Sequence, residues 1–235
     1  MSGSAVLGSG VGAFRWNAVE GLVLLKTGAT SRAAAVSADG NTIAGAMDGP
    51  ENPPQRHAFR WTQATGVKDL VSLGTNGDVY GISADGTMLV GGGYSSTNDA
   101  FLWTNLGTLR IGAGRACAVS ADGTTIVGGT SESAFRYIAV GSGSGVFSLG
   151  ALTHTVATGV SADGKIIVGT STEGIWIWDP INGVRMILDV LSGLGAKTTD
   201  WMSLSVAVGG LSGDGRVIVG DGYLGEAYQG WIARL

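Results

Sequence analysis

Two histidines, His57 and His154, a single cysteine, Cys117, and 18 aspartates and glutamates carry most of the acid–base and nucleophilic chemistry open to this 235-residue chain. A hydrolytic triad needs a base close to a reactive hydroxyl or thiol and a third group that orients the base. Neither histidine stands near such a motif. No G-x-S-x-G elbow surrounds any serine. His57 follows the polar loop "DGPENPPQR" at the mouth of a strand, and His154 lies in "ALTHTVA"; a solvated or locally bonded imidazole is expected at both. Two carboxylates roughly 5 to 9 Å apart would serve glycoside hydrolysis, but the sequence singles out no pair.

Binding chemistry is equally sparse. No calcium loop of the D-x-[DN]-x-[DN]-G type occurs. "GSGSGVF" from Gly141 lacks the Lys-Ser/Thr of a phosphate cradle and reads as an inter-strand link. Cys117 fills the slot that Ala34 fills in another copy of the same motif, so a small buried residue is expected there. One cysteine supports neither an internal disulfide nor a thiolate metal cage. No metal and no cofactor is expected.

What must position these residues is a repeat. "AVSADGNTIAGA" from Ala35 returns as "GISADGTMLVGG" from Gly81, "AVSADGTTIVGG" from Ala118, "GVSADGKIIVGT" from Gly159 and "GLSGDGRVIVGD" from Gly210. The motif serines Ser37, Ser83, Ser120, Ser161 and Ser212 are spaced by 46, 37, 41 and 51 residues. A period near 40 marks a solenoid or a propeller. Asp-Gly between two short apolar runs is a strong hairpin signal, because glycine accepts the positive φ of a tight turn. Asp39, Asp85, Asp122, Asp163 and Asp214 are expected to cap their own turns.

A second landmark reads "AFRW" at Ala13 and Ala58, "AFLW" at Ala100, "AFRY" at Ala134, "IWIW" at Ile175 and "GWIA" at Gly230. On a strand, Phe59 and Trp61 share one face and Arg60 takes the other. Arg15, Arg60 and Arg136 become Leu102, Ile177 and Ile232 in other copies, so the second face is expected to be buried too. The motif tryptophans Trp16, Trp61, Trp103, Trp176, Trp178 and Trp231 are assigned to packing between layers rather than to stacking on sugar rings. Trp201 stands apart, in the connection "KTTDWMSLS".

Each repeat holds four strands: a (the IVG run), b (AFRW), c (the LG run) and d (VSADG). The chain reads a-b-c-d five times and then a-b, 22 strands in all, beginning with "GSAVLG" at Gly3. The expected fold is therefore all-β, a β-propeller of four-stranded antiparallel blades with six blades, one incomplete; five blades plus an extra hairpin is the alternative. Residues 1–235 are read as one domain. An open blade edge invites strands from a neighbouring chain, so a homo-oligomer or larger assembly is one expectation.

Composition agrees. Glycine contributes 42 residues and charged residues only 14%, which suits short strands and tight turns with little helix. The net charge is −4 and the 14 Lys and Arg are scattered, so no nucleic-acid surface is expected. No apolar run approaches the roughly 20 residues that span a bilayer, and "MSGSAVLGSG" lacks a secretory signal's basic and apolar regions.

The combination of "HAFRW", "LG" and "AVSADGxxIVG" resembles the HAF-repeat family of bacterial extracellular repeat proteins, over nearly the whole chain. Only His57-Ala58-Phe59 keeps the histidine; other copies read "GAF", "DAF" and "SAF" or lose the Phe. The resemblance implies an exported or surface β-repeat protein and brings no catalytic residues with it. A weaker similarity links "SADGxxI" to the hairpins of TolB-like and WD40-like propellers.

In an antiparallel blade the a-b and c-d loops leave one end and the d-a and b-c links leave the other. The d-a links here are near copies, whereas Ala46–His57, Gly92–Asp99, Leu191–Leu204 and Asp221–Gln229 differ in length and content. Variable loops on a repetitive scaffold are where binding concentrates. The candidate ligand-binding residues are accordingly Arg56, His57, Tyr94, Asn98, Asp99, His154, Asp200, Trp201, Tyr223, Glu226 and Tyr228. The leading expectation is a non-catalytic surface or assembly module, extracellular or on a virion, that presents these loops to a protein or glycan. A carbohydrate-active enzyme and a purely structural spacer are the rivals.

Overall fold

The computed structural model describes residues 9–10, 12–25, 30–51, 54–70, 77–93, 99–139, 144–149, 152, 154–198 and 201–235. Among them are 22 strands and one short helix. They fall into two compact units, Met1–Ala116 and Cys117–Leu235.

In the first unit, β1 (Ser9–Gly10) is followed by a two-stranded sheet of β2 (Phe14–Asn17) and β3 (Gly21–Leu24). Next come β4 (Ser31–Val36), β5 (Thr42–Asp48), β6 (Arg56–Thr62) and β7 (Gly66–Asp69), which pair in chain order with β1 added at the β4 edge. A four-stranded sheet of β8 (Gly77–Ile82), β9 (Leu89–Gly93), β10 (Asp99–Thr104) and β11 (Gly107–Ala113) completes it. The second unit repeats the plan. It contains the sheets β12 (Arg115–Val119), β13 (Thr125–Gly129), β14 (Ala134–Ile138), β15 (Gly145–Ser148) and β16 (Val156–Val160), β17 (Ile167–Ser171), β18 (Gly174–Asp179), β19 (Gly183–Met186). Helix α1 (Ile187–Gly193) precedes a three-stranded sheet of β20 (Trp201–Leu211), β21 (Val217–Leu224) and β22 (Ala227–Arg234).

Every complete sheet has the strand order d-a-b-c, so the Asp-Gly hairpin lies inside a blade, between its first two strands. The expected strand at "GSAVLG" lies outside the described residues. The described strand nearby, β1, pairs with β4 rather than with β2.

The turn chemistry is the same five times. Ser37 Oγ donates to Asp39 Oδ1 at 2.6 Å and accepts from Thr42 N at 3.0 Å, and Asn41 N donates to Asp39 Oδ1 at 3.0 Å. Ser83, Ser120, Ser161 and Ser212 make both bonds in their own copies. The serine thus explains itself: it satisfies two groups of its own turn. In all five copies the serine bond is the largest influence holding the aspartate's pKa below its ordinary value.

These turns also touch one another within each unit. Ala38 N donates to Ala84 O at 2.9 Å in the first; Ala121 N donates to Ala162 O at 3.2 Å and Ala162 N to Gly213 O at 2.8 Å in the second. Gly86 needs its positive φ of 70° and also has no room for a side chain, since a Cβ there would meet Thr42 Oγ1 at 2.6 Å.

The sheets pack face to face, as the two-sided burial of the AFRW strands requires. Ile43, Phe59 and Trp61 join Ala13 and Leu25 of the β2–β3 region in one core cluster. Ala44, Ala58 and Leu70 join Val79, Leu89, Phe101 and Trp103 in the next. In the second unit Ala134 and Leu149 meet Ile167 and Trp176, and Ile175 and Ile177 meet Ile218. Each large side chain so buried contributes about 1.5–3 kcal/mol. A strand-a glycine permits this closeness: a Cβ on Gly129 would lie 3.0 Å from Val156 Cα in the next sheet.

The motif arginines follow one rule. Arg15 lies 5.2 Å from the Trp61 ring centroid, Arg60 lies 5.9 Å from that of Trp103, and Arg136 lies 4.6 Å from that of Trp178. Each guanidinium covers the aromatic that follows in the neighbouring sheet, where a desolvated cation–π contact contributes about 0.5–2 kcal/mol.

Candidate functional site

The variable ends of the β4–β7 and β8–β11 sheets hold the densest polar constellation in the first unit. The β5–β6 connection begins where Gly49 N donates to Gln55 O at 2.7 Å. β6 then sends successive side chains to opposite faces, which separates Arg56 from His57.

His57 is 1% exposed and carries carboxylates at both ring nitrogens. Nδ1 lies 2.8 Å from Asp69 Oδ2 on β7, in a hydrogen bond, and Nε2 lies 3.1 Å from Glu51 Oε1 in the β5–β6 connection. The Asp69 bond is the main influence raising the His57 pKa; burial opposes it and Glu51 adds to it. Gly49 makes the space, for a Cβ there would sit 2.6 Å from His57 Nε2. The ring is therefore an anchor for its loop. Nε2 faces the Glu51 carboxylate without a hydrogen bond, and at 1% exposure the ring is not presented to solvent.

Arg56 points the other way. Its Nε donates to Asp78 Oδ1 at 2.9 Å, and Arg32 Nη2 stands 3.9 Å from the same oxygen. Asp78, on β8, is 4% exposed. One buried carboxylate between two half-exposed guanidiniums ties the β4–β7 sheet to the β8–β11 sheet and leaves cationic surface outside.

Asp99, at the start of β10, pairs with Arg110 of β11 at 2.5 Å. This pair is the same position as His57–Asp69 one repeat later. In each sheet that holds both strands, the residue two before the AFRW aromatic stands next to the register position of the strand-c residue opposite that aromatic. Phe59 faces Asp69, Phe135 faces Ser148, Trp176 faces Met186 and Phe14 faces Leu24. The occupants are His57–Asp69, Asp99–Arg110, Ser133–Ser148, Gly174–Met186 and Gly12–Leu24, so one structural position is refitted repeat by repeat.

The remaining candidates divide. Tyr94, Asn98 and Asp200 lie outside the described residues. His154 sits in the β15–β16 link with φ at 51°, the one non-glycine residue in the left-handed region among those described. Trp201 opens β20 and pairs with Leu224. Asp221–Gln229 is not the loop expected. β21 and β22 continue through it, because Gly225 at φ 60° closes a tight turn and Tyr223 pairs across from Tyr228, with ring centroids 5.2 Å apart in an edge-on contact. Glu226 occupies that turn. Leu191–Leu204 likewise contains the end of α1 and the start of β20. Cys117 is half-buried on β12, as Ala34 is on β4. No group of three or more metal-ligating side chains forms among the described residues.

Sequence reasoning missed Glu51, Asp69, Asp78, Arg32 and Arg110. Aligning the strand-c segments against one another supplies the signal for two of them: "GVKDL" carries its acid only where strand b carries His57, and "GTLRI" its base only where strand b carries Asp99.

Antiparallel four-stranded sheets, hinged at repeated turns and layered by aromatic b strands, define a protein of the β-propeller class. Solved structures similar to it include two described as TolB. TolB from Acinetobacter baumannii matches with a TM-score of 0.58 at 15% identity over 98% of this chain and 60% of that one. A protein described as TolB from Agrobacterium tumefaciens matches with a TM-score of 0.55 at 16% identity over 77% of this chain and 75% of that one. At such identities the likeness establishes the fold alone. The chain spans about three fifths of the first protein's length. No protein-family model and no curated protein matches the chain, so the resemblance to HAF repeats gains no support. Among the described residues no helix is long and apolar enough to cross a membrane.

Proposed function

We propose that this chain is a non-catalytic recognition module that binds a protein partner through the variable ends of its sheets. One observation carries the reading: a single structural position, the pair beside the AFRW aromatic, is chemically different in each of the five sheets that hold both strands, while the d-a turns at the opposite end are near copies. Varied positions on a fixed scaffold are where binding concentrates. The burial of the His57 ring, 1% exposed, supports recognition over general-base chemistry.

The test places a photo-crosslinking amino acid at Arg110, on the variable end, and at Asn41 or Lys165, on the repeated turns. A discrete protein adduct from position 110 alone is expected. Equal adducts from both ends would overturn the reading. So would specific retention on a glycan array with turnover of a chromogenic glycoside.

A further inference from the structure

We propose that His57 is a proton-operated latch on the β5–β6 connection. With an imidazolium at position 57 the Glu51 carboxylate is held inward; loss of the Nε2 proton lets Glu51 swing to water while the Asp69 bond survives. The movement stands on its own geometry. It rests on the recognition reading only for its use, which is to withdraw or present an anion at the variable end of the β4–β7 sheet.

The two carboxylates hold the ring in different ways. Asp69 Oδ2 takes a hydrogen bond at Nδ1, 2.8 Å away, and a neutral imidazole protonated on Nδ1 keeps that bond. Glu51 Oε1 lies 3.1 Å from Nε2 without a hydrogen bond, and Glu51 Oε2 is buried and makes none among the described residues. Attraction on that side is therefore charge alone. Asp69 retains the Nδ1 proton, so the proton that leaves is the one on Nε2. A ring lone pair then faces a carboxylate that has lost its counter-charge, which is an unfavourable state for a buried anion.

Only Glu51 is free to respond. The His57 side chain is 1% exposed and that of Glu51 is 34% exposed, so the carboxylate reaches water without the sheet opening. Register fixes the ring, with Met47 of β5 opposite His57 and Asp69 of β7 opposite Phe59. Gly49 provides the inward seat: a Cβ there would collide with Glu51 Oε2 and sit 2.6 Å from His57 Nε2. The same glycine closes the base of the connection, its N–H donating to Gln55 O at 2.7 Å.

Among the described residues other charges nearby are spoken for. On β7, Lys68 alternates away from Asp69 and lies 5.5 Å from the Trp103 ring centroid. Arg56 and Arg32 stand at Asp78, and Asp48 of β5 is in register with Arg56 rather than with His57. From the β2–β3 side the cluster that contains Phe59 is met by Ala13 and Leu25, while Arg15 engages Glu20 and the Trp61 ring. The His57 pKa is raised, by Asp69 first and by Glu51 in addition, against burial. The latch is thus closed below the ordinary histidine value near 6.5 and opens above it, at the folded midpoint.

Amide exchange of the full chain from about pH 6 to 9, divided by the intrinsic rate at each pH, tests this beside an NMR titration of the imidazole. Protection of the Gly49 amide is expected to fall at least about tenfold as pH rises through the His57 midpoint, while amides within β5 and β6 keep theirs. Glu51→Gln, at a half-exposed position, supplies a neutral amide that donates to the bare Nε2. It is expected to lower the midpoint and to shrink the change at Gly49 to less than about twofold. Asp69→Asn lowers the midpoint as well, and the Gly49 transition is expected to move with it. Protection that ignores the midpoint, an equal change in Glu51→Gln, or a transition that stays in place in Asp69→Asn would each overturn the latch. Crosslinks at position 110 report on a different sheet, so the two readings fail separately.

Discussion

Asp99 and Arg110 occupy, one repeat on, the places that His57 and Asp69 occupy before them, and the charges are exchanged. The acid sits on strand b in one sheet and on strand c in the other. A position that accepts either polarity is fixed by geometry and free in chemistry.

Exchanging the pair within one sheet tests that freedom. Asp99→Arg with Arg110→Asp is expected to restore stability to within about 0.5 kcal/mol of the parent, since an exposed pair is worth only about 0.2–1 kcal/mol. Asp99→Arg alone sets two cations together and costs more than the double variant. Urea unfolding of the three proteins measures the difference.

The close approach of Gly86 to Thr42 gives the second prediction. Gly86→Ala combines positive φ with a steric clash and is expected to cost at least about 2 kcal/mol. Gly183→Ala, at φ 67° in open space, costs about 1 kcal/mol. Equal losses would show that crowding between turns contributes nothing.

Five turn aspartates have lowered pKa values, so their contribution is complete above the ordinary aspartate value near 4 and is lost as pH falls through the depressed ones. Unfolding free energy is therefore expected to drop steeply below about pH 4. Asp122→Asn flattens that slope by the share of one carboxylate, Glu20 and Asp179 being lowered as well. Denaturant melts between pH 2 and 7 read it.

His57 runs in the opposite sense. Its pKa is raised, so its contribution is full below about 6.5 and disappears as pH climbs through the folded value. Asp69→Asn is expected to remove most of the decline in stability between neutral and mildly alkaline pH. NMR titration of the imidazole checks the direction: its midpoint falls in the variant.

Arg136 over Trp178 yields a prediction that the chain itself suggests. Arg136→Leu is expected to cost less than about 1 kcal/mol, because Leu102 and Ile177 fill equivalent places. Arg136→Asp puts an unpaired charge against the ring and costs at least about 2 kcal/mol. Thermal unfolding separates the two.

The Asp-Gly hairpins and the two-sided burial of the inner AFRW strands were legible because each depends on spacing of two to four residues repeated many times. The blade boundary was not: the sequence reading puts the d-a hairpin between blades, and it lies inside one, with Trp16 and Ile232 exposed in the first and last copies. The cover that Arg15, Arg60 and Arg136 give to the next sheet's tryptophan was not legible, because it depends on how neighbouring sheets are stacked. The His57 anchor was not legible in one repeat, since Asp69 lies 12 residues away and meets it only through the β6–β7 register. Tyr223 to Tyr228 misled for another reason: glycines and polar residues that mark a loop elsewhere here form the tip of a long hairpin. Residues such as Asp78 have no local signature at all, being set by which sheet lies next door.

The alanine amide that bonds the following turn is the same atom at every described junction. The bond runs from main chain to main chain, so each described seam is indifferent to which small side chain stands at that place.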